Sequence, residues 1–165
     1  MNELDPATAN EVAALADALR ARGWMMCSAE SCTGGLIAAA CTSLAGSSDW
    51  FERGIVSYSN DAKSEALGVP AELIRQHGAV SAEVACAMAD GALARAKAQA
   101  AVAVTGIAGP GGATPGKPVG TVWVAVATRL QPAAATVLQL GGDRAAVRRA
   151  SVLQALRLLR QRLQP

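Results

Sequence analysis

The sequence predicts an α/β fold, a three-layer α/β/α sandwich with a mixed sheet, and three observations carry that expectation. Short apolar runs without charge alternate with longer stretches of helical periodicity and recognisable caps, the pattern of strands joined through helices. Two strand-like runs near the end, residues 119–128 and 136–140, follow one another with no helix between them, which adds an antiparallel pair to an otherwise parallel sheet. The 165 residues are 52% hydrophobic and contain neither a linker nor an internal repeat, so one domain spanning residues 1–165 is expected.

Each element has its own signal. Asp5-Pro6 reads as an N-cap and first-turn proline, and Val12, Leu15, Ala16 and Leu19 recur at helical spacing up to a stop at Gly23. Residues 24–29 form an apolar run suited to a buried strand. Residues 33–45 are small and apolar enough for a tightly packed helix ended by Gly46, which leaves Glu30-Ser31-Cys32 in the turn between them. A second strand is read at residues 54–59. Residues 61–67 then make a short helix closed by Gly68, Pro70 opens another that stops at Gly78, and Ser81 caps a longer one reaching residue 97. Residues 101–105 are the third strand and residues 106–118 a Gly/Pro loop, after which the final strand pair turns near Pro132. Asp143 caps the last helix.

Composition narrows the function classes. Cys27, Cys32, Cys41 and Cys86 fall at no metal-ligand spacing and there is one histidine, so neither a metal nor another cofactor is expected, and the thiols read as small buried residues of a reducing compartment. Residues 1–11 are polar and acidic, unlike a signal peptide. The two long uncharged stretches, 31–48 and 99–116, are broken by Gly, Pro, Ser and Thr, so a cytoplasmic protein without membrane partners is expected. The net charge is +2, with six arginines and no acid from residue 144 onward. A basic helix can mark nucleic acid, but no basic run interleaves with aromatics here. A solvated or interface face is expected instead, with Trp24, Trp50 and Trp123 in the core or an interface.

Four segments carry candidate chemistry. Glu30-Ser31-Cys32-Thr33-Gly34-Gly35 places a hydroxyl between strand and helix, with glycines that let a ligand approach free N–H groups. Such a turn holds an anion or oxyanion, although Ser31 or Thr33 as a plain N-cap fits the same residues. Tyr58-Ser59-Asn60-Asp61-Ala62-Lys63 closes the second strand; a lysine kept neutral by burial activates a serine, whereas a surface lysine paired with Asp61 or Glu65 is the alternative. The loop from Thr105 to Lys117 has P-loop spacing over Gly111–Lys117, but Pro118 stands where Ser or Thr is required and a strand follows where a helix should, which excludes an NTPase. No dinucleotide fingerprint, Gly-x-Ser-x-Gly elbow or Ser-x-x-Lys motif is completed. Gly141-Gly142-Asp143-Arg144 puts an arginine at a helix start, suited to an anion or else to a surface ion pair. His77, just before Gly78, suits the C-terminal dipole of its helix.

In combination, Ala29-Glu30-Ser31-Cys32-Thr33-Gly34-Gly35, Tyr58-Ser59-Asn60 with Lys63, Gly78-Ala79-Val80-Ser81, Thr105-Gly106-Ile107-Ala108-Gly109-Pro110, Lys117-Pro118-Val119-Gly120 and Gly142-Asp143-Arg144 resemble the CinA C-terminal domain family, the nicotinamide-nucleotide amidohydrolases. The match keeps its order and spacing from residue 10 to residue 160. The resemblance implies a three-layer α/β/α domain that deamidates nicotinamide mononucleotide to nicotinic acid mononucleotide in pyridine-nucleotide salvage, with a serine and a lysine and no metal. It implies Ser31 as nucleophile, Lys63 as base and Tyr58 as an aid to proton transfer, with Thr33, Gly34, Asn60, Thr105, Gly106 and Arg144 as ligand contacts. A nucleotide-binding regulatory module without turnover, or a hydrolase of a different small amide, would use the same residues.

Three narrower expectations follow. Arg144 is expected on the 5′-phosphate, with Lys117 or the N–H groups around Thr33 and Gly34 as the other places for it. Cys32 rivals Ser31 as nucleophile, but adjacent helical positions point about a quarter-turn apart, and the resemblance favours the serine. On the last helix Val152, Leu156, Leu159 and Leu163 form one stripe, with Leu153 and Leu158 off it, so a homo-oligomer interface is expected there.

Overall fold

The helices begin and end where the capping residues stand. In the computed structural model, which describes residues 4–164, the Asp5 carboxylate accepts from the Thr8 N–H and opens α1 (Pro6–Arg22), which Gly23 closes in the left-handed conformation. Residues 1–3 of the polar start lie outside the described residues. There follow β1 (Met26–Glu30), α2 (Leu36–Thr42), β2 (Phe51–Val56), α3 (Asn60–Leu67), α4 (Ala71–His77), α5 (Ala82–Arg95), β3 (Ala100–Gly106), β4 (Thr121–Thr128), β5 (Gln131–Gln139) and α6 (Arg144–Arg162). Among the described residues no helix is long and apolar enough to cross a membrane.

The sheet is mixed, in the order β2-β1-β3-β4-β5, with β2, β1 and β3 parallel and β4 and β5 antiparallel. From β1 the chain crosses through α2 to β2 on one side, then returns through α3, α4 and α5 to β3 on the other. The crevice outside the carboxyl ends of β1 and β3 is therefore the topological switch point, where open α/β sheets bind ligands.

The two faces of the sheet differ in kind. Met26, Val102, Val104, Val122, Val124 and Val126 face α1, α2 and α6 in one core. Cys27, Ala29, Ala101, Ala103, Ala125 and Ala127 face α3, α4 and α5 in the other. Alternation along each strand sorts bulky from small side chains, so the second helical layer sits close. A Cβ on Gly91 of α5 would lie 2.0 Å from the Leu67 carbonyl oxygen at the end of α3, a contact that only glycine permits.

Three boundaries differ from expectation. The strand expected at residues 54–59 is β2, three residues earlier, because Glu52 and Arg53 follow Phe51 at the start of this edge strand and their charges disguise it. The helix expected from residue 33 starts at Leu36, after two turns of irregular chain. Pro132 lies inside β5 rather than in the turn, which its missing N–H allows on an edge strand. On α6, Val152, Leu156, Leu159 and Leu163 are buried, Leu158 packs against the same core and Leu153 is half-buried. Of the apolar residues that argued for a second copy, all but Leu153 are taken up by the chain's own core.

Candidate active site

Ser31 follows β1 directly and is held there by the neighbouring strand, its N–H donating to the Val104 carbonyl at 2.9 Å. The Gly34 N–H donates back to the Ser31 carbonyl at 3.0 Å, closing a tight turn that Gly34 and Gly35 complete with positive φ. The preceding side chain explains why α2 starts late. Glu30 is fully buried, and its carboxylate accepts from the Thr33 hydroxyl at 2.8 Å and from the N–H groups of Ile37 at 2.8 Å and Ala38 at 3.0 Å. The anion expected at this helix start is thus the chain's own, and neither Ser31 nor Thr33 is the N-cap. The donors left without an acceptor among the described residues are the N–H groups of Cys32, Thr33 and Gly35, in the turn itself.

Lys63 reaches this turn from the first helical turns of α3, which Ser59 caps by accepting from the Ala62 N–H. The side chain is 1% exposed, and its Nζ lies 3.0 Å from the Ser31 Oγ, 3.0 Å from the Ser57 carbonyl and 3.4 Å from the Tyr58 carbonyl. Asp61 and Glu65 make no ion pair with it among the described residues. Burial pushes the amine below the ordinary lysine range, with Cys32 pulling weakly the other way. A neutral amine has two hydrogens and one lone pair. With its two hydrogens on the carbonyls such an amine would turn its lone pair to the Ser31 hydroxyl, whereas the protonated amine donates to the Ser31 Oγ. Cys32 is 6% exposed and its thiol is pushed up to about 11, chiefly by burial, so little thiolate forms near neutrality.

The other expected residues fall into separate places. Tyr58 is 61% exposed; its carbonyl reaches Lys63, while its hydroxyl accepts from Arg144 Nη2 at 2.9 Å. Arg144 Nη1 donates to the Gly109 carbonyl at 2.9 Å, so this arginine at the start of α6 joins the strand end after β2 to the loop after β3. Thr105 is buried and donates to the Ala79 carbonyl at 2.8 Å, fixing the Gly78–Ser81 segment against β3. Gly106 leaves no room for a Cβ beside Val122 and Thr121. Asn60 is exposed at the start of α3, and its side chain makes no hydrogen bond among the described residues. Lys117 donates to the His77 carbonyl at 2.9 Å, and His77 itself lies 3.5 Å from Glu83.

Two residues missed by sequence reasoning complete the turn. One is Glu30, whose signal is present: it is the sole charged side chain from residue 24 to residue 48, and a lone acid in such a run must be buried and bonded. The other is Arg148 on α6, which donates from Nε to the Cys32 carbonyl at 3.1 Å and from Nη2 to the Thr33 carbonyl at 3.2 Å. At the opposite end of the sheet, a depression of about 370 Å³ bordered by Trp24, Leu130 and Arg162 touches none of these groups.

Compared with known proteins, the chain matches the CinA C-terminal domain model over residues 8–163. The chain belongs to the CinA C-terminal domain family. Within that family it is 52% identical over 144 residues to the nicotinamide-nucleotide amidohydrolase PncC of Escherichia coli (strain K12), covering 87% of each chain. It is 56% identical over 141 residues to a CinA-like protein of Mycolicibacterium gilvum, of which it spans 33%. The CinA fold seen here superposes on the crystal structure of the competence/damage inducible protein CihA from Agrobacterium tumefaciens with a TM-score of 0.96 at 43% identity, covering 99% of this chain and 100% of that one.

Proposed function

We propose that this chain hydrolyses the carboxamide of nicotinamide mononucleotide, releasing nicotinic acid mononucleotide and ammonia, with Ser31 as nucleophile and Lys63 as general base. The observation that carries this reading is the buried Lys63 amine 3.0 Å from the Ser31 hydroxyl at the switch point of the sheet. The family relationship to proteins named nicotinamide-nucleotide amidohydrolase supports the substrate.

In the proposed reaction Lys63 takes the Ser31 proton as Oγ bonds to the carboxamide carbon. The free N–H groups of Cys32 and Thr33 receive the oxyanion. The resulting ammonium of Lys63 protonates the leaving nitrogen, the carbon–nitrogen bond breaks, and ammonia departs from an acyl-Ser31 ester. Water then gives a proton to Lys63 and its oxygen attacks the ester, which frees the acid and returns the proton to Ser31. Incubation with the mononucleotide and an ammonia assay tests the reading; binding without ammonia points to a module without turnover, and ammonia from other amides alone points to another substrate.

Because burial holds Lys63 below its ordinary value of 10.5, the neutral amine gains as pH rises through the lowered value. A kcat/KM profile is expected to climb with pH along a single-proton limb with its midpoint below 10.5. Stability is expected to climb in the same window, since there the unfolded chain binds a proton that the folded chain does not. A limb descending through that window would count against a neutral Lys63.

For the phosphate, Arg144 is the proposed ligand: it is exposed, has no carboxylate partner among the described residues, and is steadied by Gly109 and Tyr58. Tyr58 then acts by holding Arg144 rather than by carrying a proton. Arg144→Ala is expected to lower kcat/KM for the mononucleotide by roughly ten- to a hundredfold, the value of a charge-assisted contact, and to leave any riboside hydrolysis nearly unchanged. An equal loss on both substrates would make Arg144 structural.

A further inference from the structure

We infer that Arg148 is a positioning residue for the oxyanion site: its guanidinium fixes the Cys32–Thr33 and Thr33–Gly34 peptide planes, so that the Thr33 N–H stays free and aimed away from α6 while the Gly34 N–H closes the turn that presents the Cys32 N–H. The inference rests on Ser31 being the nucleophile, and it assigns to a side chain more than a hundred residues away a part in the same step.

The geometry is specific. Nε and Nη2 bond two successive carbonyls, those of Cys32 and Thr33, at 3.1 and 3.2 Å. A planar fork holds both in one fixed orientation, which the freely rotating donors of an ammonium do not impose. In a trans peptide the N–H points opposite to its carbonyl. Anchoring the Cys32 carbonyl on Arg148 therefore turns the Thr33 N–H away from α6, and anchoring the Thr33 carbonyl does the same for the Gly34 N–H. The latter donates to the Ser31 carbonyl, whereas the Thr33 N–H finds no acceptor among the described residues.

Three further observations agree. Arg148 is half-buried and makes no ion pair with a carboxylate among the described residues, so its donors serve these carbonyls. Its Nη2 lies 3.4 Å from where a Cβ on Gly34 would be, so the glycine leaves the guanidinium its seat. The opposite side of the turn is gripped by Glu30 through the Thr33 hydroxyl and the first N–H groups of α2. A carbonyl bonded to a cation also polarises its own peptide, making the N–H a stronger donor to a developing negative charge.

The test compares Arg148→Ala and Arg148→Lys with wild type in steady-state ammonia release and in the rate at which an alkyl phosphonofluoridate, losing fluoride to give a tetrahedral phosphonate ester whose phosphoryl oxygen stands in for the oxyanion, labels Ser31. Both variants are expected to lose roughly ten- to a hundredfold in kcat, with KM changed less than about threefold, and to lose labelling rate in parallel. Added guanidinium ion should recover part of both rates in Arg148→Ala. The lysine variant keeps the charge and the stem, so it separates loss of the fork from loss of folding. A rise in KM at unchanged kcat would make Arg148 a substrate ligand, and kcat and labelling within about twofold of wild type would overturn the inference. If wild type labels at Ser31 yet releases no ammonia, the substrate reading fails while the labelling rates still decide Arg148. If wild type does not label at Ser31, the nucleophile assignment and this inference fall together.

Discussion

Lys63→Met is expected to lower kcat/KM for amide hydrolysis by a factor on the order of 10⁴ to 10⁶, Ser31→Ala by as much, and the double variant by no more than either alone. The reason is that the two groups act as a unit. Without the amine, the Ser31 hydroxyl has no acceptor for its proton at the 3.0 Å position, and without the hydroxyl the amine has nothing to deprotonate. Methionine fills the volume of the lysine stem, but the Ser57 and Tyr58 carbonyls lose a donor. A melting curve therefore accompanies the kinetics, so that lost folding is not read as lost chemistry. Cys32→Ala is the matching control and should keep most of the activity, because a thiol pushed up to about 11 supplies little nucleophile. Single-turnover ammonia release measures all four proteins, and a Cys32→Ala variant as dead as Ser31→Ala would transfer the role to the thiol.

The second large effect is expected from one methyl group on α5, outside the candidate site itself. In Gly91→Ala the new Cβ meets the Leu67 carbonyl oxygen at 2.0 Å and the carbonyl carbon at 2.9 Å, atoms of backbone rather than of a flexible side chain. Either α5 or the end of α3 must move. Overpacking of this kind costs about 1 to 3 kcal/mol, which for a domain of this size lowers Tm by roughly 2 to 12 °C. The kinetic effect should exceed the unfolded fraction, because α3 carries Lys63 and a shift of its end loosens the Nζ–Oγ approach. Gly111→Ala, where a Cβ meets nothing within 4 Å, is the comparison and should leave both quantities near wild type. Calorimetry and kcat on the same preparations check this, and a Gly91→Ala protein that melts and turns over like wild type would refute the close-packing account.

Much of the fold was legible because the chain punctuates itself. Asp5, Ser81 and Asp143 cap α1, α5 and α6 by accepting the N–H three residues on, and Gly23, Gly68 and Gly78 follow the ends of α1, α3 and α4. The boundaries that moved did so where a tertiary partner replaces a local signal. Helix α2 has no side-chain cap from its own flank, since Glu30 reaches across the turn to its second and third N–H groups. The start of β2 is polar because its outer edge has no neighbour. At the site, Ser31 and Lys63 stood out through the resemblance alone, as burial cannot be read from a lysine on a short polar helix. Arg148 was illegible for a different reason: nothing local links an arginine on the last helix to carbonyls at residues 32 and 33.

The alanine-lined and valine-lined faces of the sheet imply two rates of drift. On the side of α1, α2 and α6, exchanges among Val, Ile and Leu can be answered by neighbours of similar bulk, so homologous positions there should wander in paired steps. On the side of α3, α4 and α5, Ala29, Ala101, Ala103 and Ala125 have no more than a methyl to give up, so a larger residue on this face of the sheet can be answered only from the helices, by Val84, Met88 or Leu93. That alanine face, packed against the helical layer that holds Lys63, should stay fixed in size while the opposite face is rewritten.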